Sequence, residues 1–169
     1  PILVGAVLSE PGADYGLHPG ISLVPDPDRL FSRLRQLAPG VDRVIVVYNP
    51  EKSAALIRLA KKAADARGLQ LSPIKAGDLK MAAKEYRQLF HVTELGGTAL
   101  WLLQDSTTMD GKVILPLILE QAWKKKLVVF TSNPADVRRG GRFRFRQHLH
   151  SERHCRGDAC ISLRQEALA

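Results

Sequence analysis

Three apolar runs in this chain read as buried strands, and each ends in a cluster of small polar residues. Val44-Ile45-Val46-Val47 leads into Tyr48-Asn49-Pro50, and Ala99-Leu100-Trp101-Leu102-Leu103 into Gln104-Asp105-Ser106-Thr107-Thr108. Leu127-Val128-Val129-Phe130 leads into Thr131-Ser132-Asn133-Pro134. Unbroken apolar strands without polar alternation are the mark of a sheet covered on both faces, which in practice means a parallel sheet flanked by helices. The segments between these runs have helical spacing. Asp26-Pro27 opens one helix with its apolar face at Leu30, Phe31, Leu34 and Leu37, and Pro39-Gly40 stops it. Asn49-Pro50 repeats the signature ahead of a helix reaching about Arg67, with a stripe at Leu56, Leu59, Ala60 and Ala63, and Gly68 as its C-terminal cap. Asp78 caps a third helix with Leu79, Ala82, Ala83, Tyr86 and Leu89 on one side. A fourth is expected from about 111 to 125, carrying Val113, Ile114, Leu117, Ile118 and Gln121, with Pro116 in its first turn or at a kink.

A buried strand is expected at 2–8, a short strand or extended crossover at 21–24, and a weaker strand at 69–75, this last at a sheet edge because it contains Pro73. From Tyr48 onward, helices and strands alternate, and every connection is long enough for a right-handed crossover. The predicted fold class is therefore α/β, a doubly wound, mostly parallel sheet flanked by helices. In such a sheet the carboxyl ends of the strands share one edge, where ligands bind. The three polar clusters then surround one cleft.

Each cluster has a structural and a functional reading. Asn49 is first a helix cap, and a cap at a cleft can also offer its side chain or the neighbouring N–H groups to an anionic ligand. Tyr48 stands where it can line the wall, and Ser53 lies in the first turn of the following helix. Five consecutive polar residues at 104–108 exceed what a helix start needs. Asp105 can pair with a ligand ammonium, and Gln104, Ser106 and Thr107 can donate or accept, whereas the structural alternative is an Asx or Ser/Thr turn. Ser132 and Asn133 close the set, again with a turn as the alternative. None of the clusters forms a catalytic grouping. The chain lacks a P-loop, G-x-G-x-x-G, G-x-S-x-G and H-E-x-x-H, and before residue 138 its only histidines are His18 and His91. These features point to a binder that performs no chemistry and needs no cofactor or metal.

Charge adds little to this. Of the net +8, residues 138–169 carry +5 from eight Arg against three acids, and the remainder carries +3. Nucleic acid is therefore not an expected partner of the body. Both cysteines, Cys155 and Cys160, lie in the tail, which is compatible with an oxidising compartment. No apolar run reaches the roughly 20 residues of a membrane span. The chain opens at Pro1 inside a strand-like run, which reads as a fragment or processed product, so a missing signal segment says little about location.

The stretch Gly20 to Gly140 resembles the uncharacterised family of ABC-transporter substrate-binding proteins that includes predicted tryptophan and tyrosine binders. The resemblance rests on Gly20-Ile21-Ser22-Leu23, the run from Arg43 to Pro50, the run from Trp101 to Thr108, the run from Leu127 to Pro134, and Val137-Arg138-Arg139-Gly140. It implies a periplasmic-binding-protein type I fold, with two lobes closing on a small ligand. Residues 1–39 would be the end of the first lobe and a crossover helix, residues 40–137 the second α/β lobe, and residues 138–169 a basic tail atypical for the family. The contacts implied by motif position are Tyr48, Asn49, Ser53, Asp105, Ser106, Thr107 and Ser132, and the polar clusters add Gln104 and Asn133. The implied role is a non-catalytic solute-binding component of an ABC importer, in the periplasm or cell envelope, taking a small polar or amphipathic ligand such as an amino acid. Its partners would be the permease and ATPase of that system, and a homodimer is expected to cover the surface of strand 2–8. A ligand-sensing module is the alternative, and a flavodoxin-like enzyme using Asp105 a more distant one.

The tail departs from the family pattern after Gly140, reading Gly141-Arg142-Phe143-Arg144-Phe145-Arg146-Gln147-His148-Leu149-His150. Three readings stay open for it. They are an altered reading frame, a lineage-specific tail, and a metal or nucleic-acid module using His148, His150, His154, Cys155 and Cys160. The spacing of those residues matches no standard zinc finger.

Overall fold

The computed structural model describes residues 4–7, 20–22, 26–91, 95–132 and 160–162. The elements, in chain order, are β1 (Val4–Val7), β2 (Gly20–Ser22), α1 (Pro27–Leu37), β3 (Arg43–Tyr48), α2 (Pro50–Asp65), β4 (Gln70–Lys75), α3 (Leu79–His91), β5 (Thr98–Leu102), α4 (Ile114–Lys124), β6 (Val128–Thr131) and β7 (Cys160–Ser162). β1 and β2 pair in parallel as a two-stranded sheet. The main sheet has the order β4-β3-β5-β6-β7, its first four strands parallel and β7 antiparallel to β6. This is the doubly wound α/β architecture expected from the strand–helix alternation.

Strand alternation divides the core in two. Val44, Val46, Tyr48, Ala99, Trp101 and Phe130 point to the face covered by α1 and α2. Ile45, Val47, Leu100, Leu102 and Val129 point to the face covered by α3 and α4. Every residue of β5 is buried, as a central parallel strand requires. Trp101 stacks on Phe130 with centroids 6.3 Å apart, and Phe31 of α1 meets the Trp101 ring edge-on at 5.5 Å. Such pairs contribute about 0.5–1.5 kcal/mol each beyond their buried area. β4 is the edge strand, and Pro73 sits opposite Val46 with nothing needed from the N–H it lacks.

The caps form as the sequence predicts. Asp26 accepts from the Asp28 N–H at 3.0 Å, Asn49 from the Glu51 N–H at 2.9 Å, and Asp78 from the Met81 N–H at 2.7 Å. Two stripe positions do not. Leu59 is 39% exposed, because Ile57 and Ala64 take the inner face of α2 together with Leu56 and Ala60. Val113 is 68% exposed, because α4 begins only at Ile114 with Pro116 in its first turn. Gly97 marks the entry to β5. It has φ +66°, and a Cβ there would stand 2.9 Å from Asp42 Oδ1, while its carbonyl accepts from the Asp42 and Arg43 N–H groups.

Candidate functional site

The topology places a switch point between β3 and β5. The chain leaves β3 through α2 toward β4 on one side, and leaves β5 through α4 toward β6 on the other, with α2 and α4 on opposite faces. At such a point, ligands of open α/β sheets are held beyond the carboxyl ends of the strands, here those of β3 and β5.

Asn49 follows β3 and is 3% exposed. Its Oδ1 caps α2, and its Nδ2 donates to the Gly77 carbonyl at 3.1 Å and to Thr107 Oγ1 at 3.2 Å. Thr107 Oγ1 in turn donates to Asp105 Oδ1 at 2.7 Å, and the same oxygen accepts from the Thr107 N–H at 2.9 Å. One continuous chain of hydrogen bonds therefore ties the loop after β4, the loop after β3 and the loop after β5. Segment 105–109 is tightened further by the Asp105 carbonyl, which accepts from the N–H groups of Thr108 and Met109 at 3.1 and 2.8 Å. Asp105 thus forms the Asx turn foreseen as its structural reading.

Around this network the side chains sort by exposure. Gln104 and Ser106 are exposed, while Ser53, Thr107 and Ser132 are half-buried. Tyr48 is buried and packs within the α1–α2 side of the core. Ser132 follows β6 on the same edge of the sheet. Asn133 lies outside the described residues, as does every tail histidine and Cys155. Of the nine candidates, Asn49, Asp105 and Thr107 are joined directly by hydrogen bonds. Gln104, Ser106, Ser53 and Ser132 supply polar groups with open surface at the same end of the sheet.

Sequence reasoning missed two participants, Gly77 and Tyr86, and left Thr108 of the polar cluster out of the candidate contacts. Gly77 contributes only its carbonyl, and the Asp78 cap next to it is the signal that could have placed it at this edge. Thr108 is 1% exposed, and its Oγ1 has no hydrogen-bond partner among the described residues. Tyr86, read only as part of an apolar stripe, carries a fully buried hydroxyl that also lacks a partner among the described residues, as does Asp105 Oδ2. Burial above all, and then the negative charge of Asp105, push the Tyr86 phenol well above its ordinary range.

Among the described residues no group of His, Cys, Asp and Glu could hold a metal ion, and no helix is long and apolar enough to cross a membrane. A solvent-facing groove of about 290 Å³ lies between α1 and α2, lined by Asp28, Arg29, Ser32, Arg33, Gln36 and Arg67. None of the candidate site residues lines it. Its Arg67 is occupied by Asp28 through bonds of 3.0 and 2.6 Å, a half-exposed pair that contributes at most about 1 kcal/mol.

Residues 24–145 match the family model described as ABC transporter substrate binding protein, and the chain belongs to that family. Three solved structures share the fold. A conserved domain protein from Vibrio cholerae is 22% identical with a TM-score of 0.58, over 71% of this chain and 39% of its own. An ABC domain from Streptococcus pneumonia, solved in complex with L-Trp, is 18% identical with a TM-score of 0.57, over 70% of this chain and 39% of its own. A substrate binding protein with adhesive properties from Clostridium difficile, in a ligand-free, open form, is 20% identical with a TM-score of 0.61, over 81% of this chain and 48% of its own. The chain thus spans between two fifths and half of the length of these structures. No match to a curated protein was found.

Proposed function

We propose that this chain supplies one wall of a solute-binding protein that delivers a small ligand to an ABC importer and performs no chemistry. The observation that carries the reading is the hydrogen-bonded path Gly77–Asn49–Thr107–Asp105, which pre-forms the polar edge at the switch point. Preorganised polar groups at the rim of a rigid sheet suit binding, because little ordering is left to be done when the ligand arrives. Family membership and the L-Trp held by one structural relative support an amino acid as the ligand. The exposed Gln104 and Ser106, with Ser53 and Ser132, are the groups that would meet its polar atoms. An opposing lobe would close over this wall by hinge motion, and the closed form would dock on a permease outside the cytoplasm.

The test is a titration of the 15N-labelled chain with L-tryptophan, L-tyrosine and the other proteinogenic amino acids to millimolar concentration. At least one should shift amide signals at 48–53, 104–108 and 132 selectively. Replacement of Asn49 by Ala should weaken that response severalfold, because the path that holds the 104–108 loop is cut. A panel that leaves those signals unmoved overturns the proposal.

A further inference from the structure

The hydrogen-bond network uses only one side of Asp105. Its Oδ1 receives two bonds from Thr107, while its Oδ2 is buried and has no hydrogen-bond partner among the described residues. A buried carboxylate oxygen without a donor is costly, so a donor is expected close behind it. Two hydroxyls in this part of the core are in the same condition. Thr108 Oγ1 belongs to the same turn as Asp105, and Tyr86 OH reaches from α3 on the covered face of the sheet. Tyr86 lies near enough to Asp105 for the carboxylate's charge to act on its phenol. Chemically the three atoms are complementary, since two hydroxyls can donate and the carboxylate oxygen can only accept. None of the three hydrogen-bonds another. Buried polar groups in this condition are commonly satisfied by an internal water with two to four polar partners.

We propose that Tyr86 is a positioning residue of the ligand edge, its hydroxyl satisfying the inner oxygen of Asp105 through a buried water and so fixing the 104–108 loop from behind. The inference rests on the reading that this loop belongs to the ligand site. Tyr86 touches no ligand. It acts through Asp105, whose outer oxygen holds Thr107, which in turn meets Asn49. The apolar part of the ring fills the core between α3 and the sheet, and the hydroxyl does the positioning. Phenylalanine would keep the first and lose the second.

The experiment needs no ligand, so its outcome is separate from the amino-acid titration. Amide hydrogen exchange is compared between the chain and its Tyr86→Phe variant. The Thr107 N–H, which donates to Asp105 Oδ1, should exchange at least tenfold faster in the variant. Amides such as that of Ala60, in the opposite core, should keep their rates. As a second measurement, the ring-carbon NMR signal of Tyr86 (identified by its loss in Tyr86→Phe) should move in Asp105→Asn. Unchanged Thr107 exchange overturns the proposal. So does exchange that accelerates uniformly across both cores, and so does a Tyr86 signal indifferent to Asp105→Asn.

Discussion

Asn49 shows how one side chain serves the local and the tertiary structure at once. Its oxygen ends an orphan N–H at the start of α2, and its nitrogen reaches two other loops. The cap was legible from Asn-Pro alone, because capping is decided within four residues. The bond to Thr107 was not, since it joins positions 58 apart in the chain. Tyr86 gives a residue-scale prediction of pH dependence. Its ordinary value is 10.0, and in the folded chain it lies well above that. A group raised on folding contributes stability that is complete below its unfolded value and is lost as pH rises. The unfolded chain therefore releases this proton above pH 10 while the folded chain holds it. Stability should fall with alkaline pH by about 1.4 kcal/mol per unit from this group. Urea titrations between pH 9 and 11.5 should show a shallower decline in Tyr86→Phe than in the parent chain. Parallel declines would mean that Tyr86 is not held protonated by the fold.

At the scale of elements, the helices began at their expected caps, with one instructive exception. The expected start of α4 near residue 111 moved to Ile114, and Val113 makes no side-chain cap. Asp110 performs that task from a turn earlier. Its Oδ1 accepts from Lys112 and Val113 at 2.8 and 2.7 Å, and its carbonyl accepts from Ile114 and Leu115 at 3.2 and 2.9 Å. The irregular turn at 111–113 suits Pro116, which needs no N–H bond in the first turn. Asp110→Ala should cost about 1 kcal/mol, within the range for lost caps. In denaturant this would appear as a lower midpoint with unchanged slope, while Asp110→Asn should retain most of the stability. A neutral Asp110→Ala would show that the turn is held by packing alone.

The whole molecule is organised by the central sheet, because each strand sends alternate residues into two different cores. Trp101 and Leu100 are neighbours in the chain but belong to opposite sides. The two cores should therefore unfold together across residues 26–132. In a Trp123→Phe variant, Trp101 fluorescence reports the α1–α2 side, and far-UV circular dichroism reports all helices. Their denaturation midpoints should coincide. Separated midpoints would show that α3 and α4 can leave the sheet independently. The sequence by itself determined strands β1–β6, the starts of α1–α3, the parallel sheet with Pro73 at its edge, and the gathering of polar residues at one end. These depend on apolar runs, helical spacing and capping, all of which act over a few residues. Only the tertiary structure decided that Asn49 bonds to Thr107, that Asp105 turns its second oxygen inward, and that the Tyr86 hydroxyl is buried. Those relations depend on strand order and on which face each helix covers. They arise from packing between segments distant in the chain, which no local pattern records.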